Sequence, residues 1–235
     1  NKVKIIGKNT GLGNQIQFIP IIELLKKDYK VVSDSEVYQQ LDVIPKSNEK
    51  ADVNLVVFGY NHKKIWNEWK KKPGKYYGFK YRIKGNHIGI PYKKSIKFNN
   101  NKHEIENNID LYNYCFDKKI KQVKYHLPGL HPEKNKVIVG ISPKEEKTLP
   151  FKSWKELIPQ IEKMGFSVFV VDKDIGINHI NTPDIKQLKE TLSTASYYIG
   201  TDSGVAHLAD ILGIPSLVMF GSTSIVKNKP YIKSL

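Results

Sequence analysis

Cysteine, arginine and long apolar runs are scarce in this chain of 235 residues. Cys115 is the only cysteine, which excludes a disulfide within the chain and is compatible with a reducing compartment. Its aromatic surroundings, Asp-Leu-Tyr-Asn-Tyr-Cys-Phe, favour a packed thiol over a catalytic one. No apolar run approaches the roughly 20 residues of a membrane-spanning helix, and no N-terminal stretch predicts a signal peptide. We therefore expect a cytoplasmic protein with at most peripheral membrane contact, the inner face of the membrane being the alternative place.

Acidic residues are in the minority. The 38 Lys and Arg residues exceed the 23 Asp and Glu residues, and the resulting net charge of +15 favours anionic partners. Because Arg82 is the only arginine, almost all of this charge is lysine, which binds phosphate as a point charge. Specific reading of bases usually uses the arginine fork. The charge therefore supports a phosphorylated or membrane-anchored substrate, and only weakly supports nucleic acid as a binding partner.

Length and composition predict a soluble protein of one large or two small domains, with hydrophobic residues making up 40% of the chain. Strands and helices alternate. The first are a strand at residues 2–6, a glycine-rich turn at 7–14, and a helix that Pro20 kinks or breaks. This start is typical of a Rossmann-like domain. Residues 84–102, rich in Asn, Lys and Gly, predict a loop. A change of domain is predicted near Leu127, between domains 1–127 and 128–235.

Residues 197–224 carry the strongest local signal in the chain. A strand ends at Gly200, and Thr201, Asp202 and Ser203 each offer an N-cap oxygen to the helix that follows. Helical spacing then continues to Gly213, and an apolar strand follows. Such a βαβ unit presents backbone N–H groups and the positive end of the helix dipole, which favour a phosphate. An anion site is predicted over residues 201–207, the alternative being an ordinary turn with a capping Asp and a packed His.

The same run resembles the donor-binding signature of the heptosyltransferase-like glycosyltransferases (glycosyltransferase family 9), written (N/T)DSGxxHLAxxLGxPxxxxFGxT. The matching residues are Thr201, Asp202, Ser203, Gly204, His207, Leu208, Ala209, Leu212, Gly213, Pro215, Phe220, Gly221 and Thr223. The resemblance implies a short member of that family with an α/β fold of the GT-B type, in which two Rossmann-like domains face a central cleft. The N-terminal domain would bind the acceptor and the C-terminal domain the nucleotide-sugar donor.

On the donor side, the resemblance implies a diphosphate site without a metal ion. Ser142 and Lys147 fall at the family's polar residue and KxWP lysine, and Lys147 would neutralise the leaving diphosphate. The backbone amides of Thr201, Asp202, Ser203 and Gly204 would hold the diphosphate together with Ser142 and Lys147. The Asp202 side chain would orient the turn or a donor hydroxyl, and His207 would bond to phosphate. Asp172 stands at the end of the strand predicted at residues 166–171 and is a candidate for contact with the ribose or the base of the nucleotide. No Cys/His cluster predicts a metal site.

On the acceptor side, the chain departs from the family. The family's GxGD loop ends in its candidate general base, and here Gly11, Gly13 and Asn14 occupy that loop, so Asn14 replaces the aspartate. An amide cannot accept a proton at neutral pH, so Asn14 can orient an acceptor hydroxyl but cannot deprotonate it. The base would then have to be His103 or a carboxylate elsewhere in the N-terminal domain. His103 begins a segment similar to the family's HxxERNLxL element. Capping or packing is the alternative role for His103.

The predicted function is a metal-independent, inverting glycosyltransferase. It would move a hexosyl, heptosyl or pentosyl group from a nucleotide-diphosphate sugar, its co-substrate, to a hydroxyl of an anionic glycan or a lipid-linked saccharide. Two alternatives remain open. A viral-type glycosyltransferase that modifies hydroxylated DNA bases would suit the charge of +15, and a non-catalytic nucleotide-sugar-binding module would suit Asn14.

Overall fold

The chain forms two compact units in a computed structural model that describes residues 1–83, 86–88 and 91–231. Unit 1 comprises Asn1–Lys124 and unit 2 comprises Tyr125–Leu235. The boundary expected after Leu127 falls just inside unit 2. Each unit contains a parallel sheet whose strands are mostly connected through helices, so the α/β class is confirmed.

Unit 1 is built on a five-stranded parallel sheet of order β2-β1-β3-β4-β7. Its strands are β1 (Lys2–Ile6), β2 (Lys30–Ser33), β3 (Val53–Val56), β4 (Lys75–Phe79) and β7 (Lys94–Ile96), with an antiparallel pair β5 (Tyr81–Ile83) and β6 (Asn86–Ile88) beside them. Its helices are α1 (Leu12–Ile16), α2 (Ile19–Leu25), α3 (Glu36–Gln40), α4 (His62–Lys71) and α5 (Glu104–Phe116).

The segment after β1 is more helical than the sequence indicates. Gly11 is extended and precedes α1, so Gly13 and Asn14 lie within the first turn of a helix and not in a glycine-rich turn. Pro20 stands in the first turn of α2, where its missing N–H costs nothing, and the chain is broken into two helices before it. Of the two outcomes predicted for Pro20, the break is the correct one.

The loop predicted at residues 84–102 is wrong for two parts of that range. Lys94–Ile96 is the edge strand β7, paired in parallel with Tyr77–Phe79, and Asn86–Ile88 is the strand β6. Both strands are three residues long and rich in polar residues, so the period-2 apolar pattern of a strand is absent. Residues 84–85 and 89–90 of the predicted loop lie outside the described residues.

Unit 2 is built on a four-stranded parallel sheet of order β11-β10-β8-β9. Its strands are β8 (Lys136–Ile141), β9 (Ser167–Asp172), β10 (Tyr197–Thr201) and β11 (Ser216–Met219). Its helices are α6 (Phe151–Lys163), α7 (Ile185–Ser193), α8 (Gly204–Ile211) and α9 (Ile225–Asn228), and a 3₁₀ turn spans Glu145–Lys147.

Apolar side chains of the central strands pack under the helices in both units. In unit 2, Trp154 and Ile158 of α6 cover Val137 and Val139 of β8, and all four are buried. In unit 1, the buried thiol of Cys115 belongs to the core, and burial raises its pKa to about 12. The packed thiol expected from the sequence is therefore confirmed, since a thiol of that pKa holds almost no thiolate at neutral pH.

Candidate functional site

The turn between β10 and α8 lies at the carboxyl end of β10, one of the two inner strands of the unit 2 sheet. Ser203 is the N-cap of α8, and its hydroxyl accepts a hydrogen bond from Ala206 N at 3.4 Å. The other N–H groups of the first turn lack partners within the helix, as at any helix start, and the helix dipole adds positive potential there. Gly204 opens the helix without a side chain. The residues from Thr201 to Gly204 therefore form the geometry that favours a bound anion.

Asp202 is the centre of a buried polar cluster beside this turn. Only 3% of its surface is exposed. Its Oδ2 accepts from Asn228 Nδ2 at 3.0 Å and lies 3.9 Å from Lys147 Nζ, while its Oδ1 lies 3.5 Å from His207 Nε2. Burial by itself would raise the pKa of Asp202, but bonds with His207 and Thr223 and the charges of His207 and Lys147 hold it below its usual value. The carboxylate is therefore ionised at neutral pH.

Lys147 reaches the turn because its loop is anchored on both sides. Ser142 N donates to Thr201 Oγ1 at 3.4 Å, which ties the end of β8 to the end of β10. Beyond the lysine, the hydroxyl of Thr148 accepts from the indole of the fully buried Trp154 at 3.1 Å. The Lys147 side chain is 29% exposed. Its ammonium group is thus held near the start of α8 while it keeps contact with solvent.

Asp172 lies at the same edge of the sheet. It pairs with Ile141 in the register of β8 and β9, so it stands beside Ser142 at the carboxyl ends of these strands. Its φ of 73° is in the left-handed region, which aspartate adopts more readily than most residues. All the donor-side residues that the sequence singled out therefore lie at one end of the unit 2 sheet: Ser142, Lys147, Asp172, Thr201, Asp202, Ser203, Gly204 and His207.

Tyr198 supports the turn from below and was missed by sequence reasoning. It is fully buried in β10, and its ring lies across the glycines of two adjacent strands. A Cβ added at Gly140 or Gly200 would stand 2.2 or 2.3 Å from the Tyr198 hydroxyl. Burial raises the pKa of the phenol, and an interaction with Ser203 partly offsets this effect. A tyrosine followed two residues later by glycine in a strand is the signal that would have found it.

In unit 1, Asn14 occupies the carboxyl end of the sheet. A Cβ at Gly11 would stand 3.0 Å from Asn14 Oδ1, and one at Gly59 would stand 3.5 Å from the same amide. Gly59 follows β3 with φ 83°, a conformation that favours glycine. Asn14 Nδ2 donates a hydrogen bond of 2.9 Å to Glu104 Oε1. The amide is therefore held between the loop after β1, the end of β3 and the start of α5.

His103 caps helix α5. Its Nδ1 accepts from Ile105 N at 3.1 Å, and Glu106 Oε2 accepts from His103 N at 3.1 Å, which together form a capping box. The imidazole is buried. Of the two roles left open by the sequence, the structure thus shows the capping one. The side chain beside Asn14 belongs to the next residue, Glu104, which is 3% exposed and which sequence reasoning did not single out.

Two kinds of feature are absent from the described part of the chain. Within residues 1–83, 86–88 and 91–231, no group of three or more His, Cys, Asp or Glu side chains is arranged to hold a metal ion. Over the same residues, no helix has both the length and the apolar character needed to cross a membrane.

Comparison with known families gives a direct match for the end of the chain. Residues 181–235, which include the turn, Asp202 and His207, match the sequence model of glycosyltransferase family 9 (heptosyltransferase). The resemblance to family 9 is confirmed. No match was found among curated protein sequences.

Solved structures show a likeness in fold over the whole chain. E. coli heptosyltransferase WaaC with ADP is similar with a TM-score of 0.77 and 12% identity, over 100% of this chain and 92% of that one. E. coli ADP-heptose lps heptosyltransferase II is similar with a TM-score of 0.70 and 14% identity, over 100% of this chain and 89% of that one. A glycosyl transferase family 9 protein from Veillonella parvula DSM 2008 has a TM-score of 0.72 and 14% identity, over 100% of this chain and 86% of that one. At such identities the likeness shows the fold, so the predicted GT-B fold is confirmed, and the family 9 match with this fold supports a glycosyltransferase.

Proposed function

We propose that this protein transfers a sugar from a nucleotide-diphosphate sugar to an acceptor hydroxyl without a metal ion. The observation that carries the proposal is the cluster of Lys147, Asp202 and His207 at the start of α8. The leaving diphosphate develops negative charge as the glycosidic bond breaks, and this charge must be neutralised in the transition state. A half-buried ammonium group and the N–H groups of a helix start supply that neutralisation from the protein itself.

Asp202 gives the cluster its geometry. Its carboxylate holds His207 on one oxygen, and Lys147 and Asn228 on the other. When a diphosphate enters, the Lys147 ammonium can turn from the carboxylate, 3.9 Å away, to the phosphate oxygens without leaving the site. Asp202 therefore acts on the donor by orienting Lys147 and His207. Asp172 is proposed to contact the ribose or the base.

For the donor, we propose ADP-heptose as the first compound to test. Two similar E. coli WaaC structures contain ADP and ADP-2-deoxy-2-fluoro heptose. For the acceptor, we propose an anionic glycan or a lipid-linked saccharide, because the chain carries a net charge of +15. Inversion at the anomeric carbon is proposed with it, since direct attack by the acceptor needs only one displacement.

Calorimetry with ADP tests the donor site. Lys147→Ala should weaken ADP binding by about 1.5–3 kcal/mol, the range for a hydrogen bond to a charged group. Lys144→Ala is the matched control, because its exposed side chain lies on the same loop. Equal affinities of the Lys147→Ala variant and the native protein would remove Lys147 from the site. ADP binding without release of ADP from ADP-heptose would favour a binding module over an enzyme.

A further inference from the structure

We propose that Glu104 is the general base of the transfer reaction, so that the carboxylate missing at Asn14 is supplied from helix α5. The inference rests on the proposed function and deepens it. Its basis is the hydrogen bond of 2.9 Å from Asn14 Nδ2 to Glu104 Oε1, which joins residues 90 positions apart. Asn14 stands where family 9 has an aspartate, and Glu104 brings a carboxylate to the same place by another route.

The chemistry of the two side chains fixes how the pair is oriented. An ionised carboxylate can only accept hydrogen bonds, so Asn14 must direct its NH₂ group to Glu104 and its Oδ1 to the other side. That oxygen faces Gly11, where an added Cβ would lie 3.0 Å from it. The second N–H of Asn14 can then donate to the oxygen of an acceptor hydroxyl while the hydroxyl donates to Glu104. Asn14 is in this way a positioning residue for the hydroxyl.

The start of α5 suits an ionised carboxylate. Glu104 is the first residue of a helix of 13 residues, where the helix dipole favours negative charge. The capping box of His103 and Glu106 fixes the backbone on both sides of it. Asn14 is itself set by the first turn of α1 and lies against Gly59, where even an added Cβ would stand 3.5 Å from the amide. The carboxylate is therefore held by two helices and not by a loop.

The step balances with these groups alone. The acceptor hydroxyl gives its proton to Glu104, and its oxygen forms a bond to the anomeric carbon. The bond from that carbon to the diphosphate oxygen breaks, and the diphosphate leaves with the electron pair. Glu104 then returns its proton to solvent. Water in place of the acceptor hydroxyl gives slow hydrolysis of the donor by the same route.

Glu104→Gln separates catalysis from folding, because glutamine can still accept the bond from Asn14 but cannot take a proton at neutral pH. We expect release of ADP from ADP-heptose to fall by about 10²–10⁴-fold in kcat while ADP affinity stays unchanged. The acidic limb of the pH profile, which reports the base, should disappear. Glu106→Gln is the matched control on the same helix, since glutamine also completes a capping box. Its kcat should stay at the native value.

The reciprocal swap is the sharper test. Asn14→Asp combined with Glu104→Gln returns the carboxylate to the family's position and keeps a hydrogen-bonded pair, so it should recover at least tenfold over Glu104→Gln alone. Native kcat in Glu104→Gln, or a loss without recovery in the swap, would overturn the role of Glu104 as base. A native protein that binds ADP but releases none from ADP-heptose overturns it too. Failure of the proposed donor site would appear separately, as absent ADP binding.

Discussion

Asn14→Asp places a second carboxylate against Glu104, and its cost can be worked from the structure. The two side chains meet at 2.9 Å, and at this separation two ionised carboxylates repel by roughly 6 kcal/mol with an effective dielectric constant of about 20. The pair avoids this by binding one proton. Holding a proton at pH 7 on a group with a pKa of about 4.3 costs about 3.7 kcal/mol. A new hydrogen bond between the protonated and the ionised carboxyl group offsets about 1–2 kcal/mol of this cost. We expect a net loss of about 2–3 kcal/mol in the free energy of unfolding at pH 7.

The sign of the pH dependence follows from linkage. Because the folded pair has a raised pKa, the folded state binds more protons than the unfolded chain above about pH 4. The loss of stability is therefore small near pH 4–5 and grows as the pH rises towards the raised pKa. Transfer by this variant should also move to higher pH, because a shared proton must leave before the pair can act as base. At pH 7 we expect transfer to fall.

Urea unfolding at pH 5 and pH 8 measures this effect. The control is Asn14→Asp in the Glu104→Gln background, where no second carboxylate is present and the loss should not grow between these pH values. An equal loss at both pH values, or the same pH-dependent loss in the control, would refute the reasoning from the Asn14–Glu104 contact.

Three other predictions concern packing, the thiol and the metal. Gly140→Ala would bring a Cβ within 2.2 Å of the Tyr198 hydroxyl, and should lower the free energy of unfolding by about 1–3 kcal/mol in urea titrations. Gly74→Ala, whose nearest contact would be 3.4 Å, should change little, and a similar loss in both would contradict the packing argument. Cys115, whose pKa burial raises to about 12, should resist iodoacetamide at pH 8 until urea unfolds the chain, as mass spectrometry would show; rapid labelling of the folded protein would disprove this. EDTA should leave ADP release from ADP-heptose unchanged, whereas activity lost in EDTA and restored by magnesium would show that a metal is required.

The donor-side turn could be read from the sequence because its determinants are local. Ser203 caps the helix that starts one residue later, and the strand before it and the glycine after it are adjacent in the chain. The break before Pro20 is local for the same reason, since proline acts on the turn that precedes it. Residue type and spacing are enough to predict such features. With the family resemblance, they located the donor-side turn at the carboxyl end of the unit 2 sheet.

Contacts between residues distant in the sequence were decided by the tertiary structure alone. The pairing of Asn14 with Glu104, the approach of Lys147 to Asp202 and the ring of Tyr198 across Gly140 each join separate elements. The edge strand at Lys94–Ile96 was missed because it is a strand only through its hydrogen bonds to β4, not through its own apolar pattern. The choice between Glu104 and His103 beside Asn14 likewise depends on which side chain of α5 faces α1. Periodicity along the chain carries no information on that contact, because it is set by how the two helices pack on the sheet.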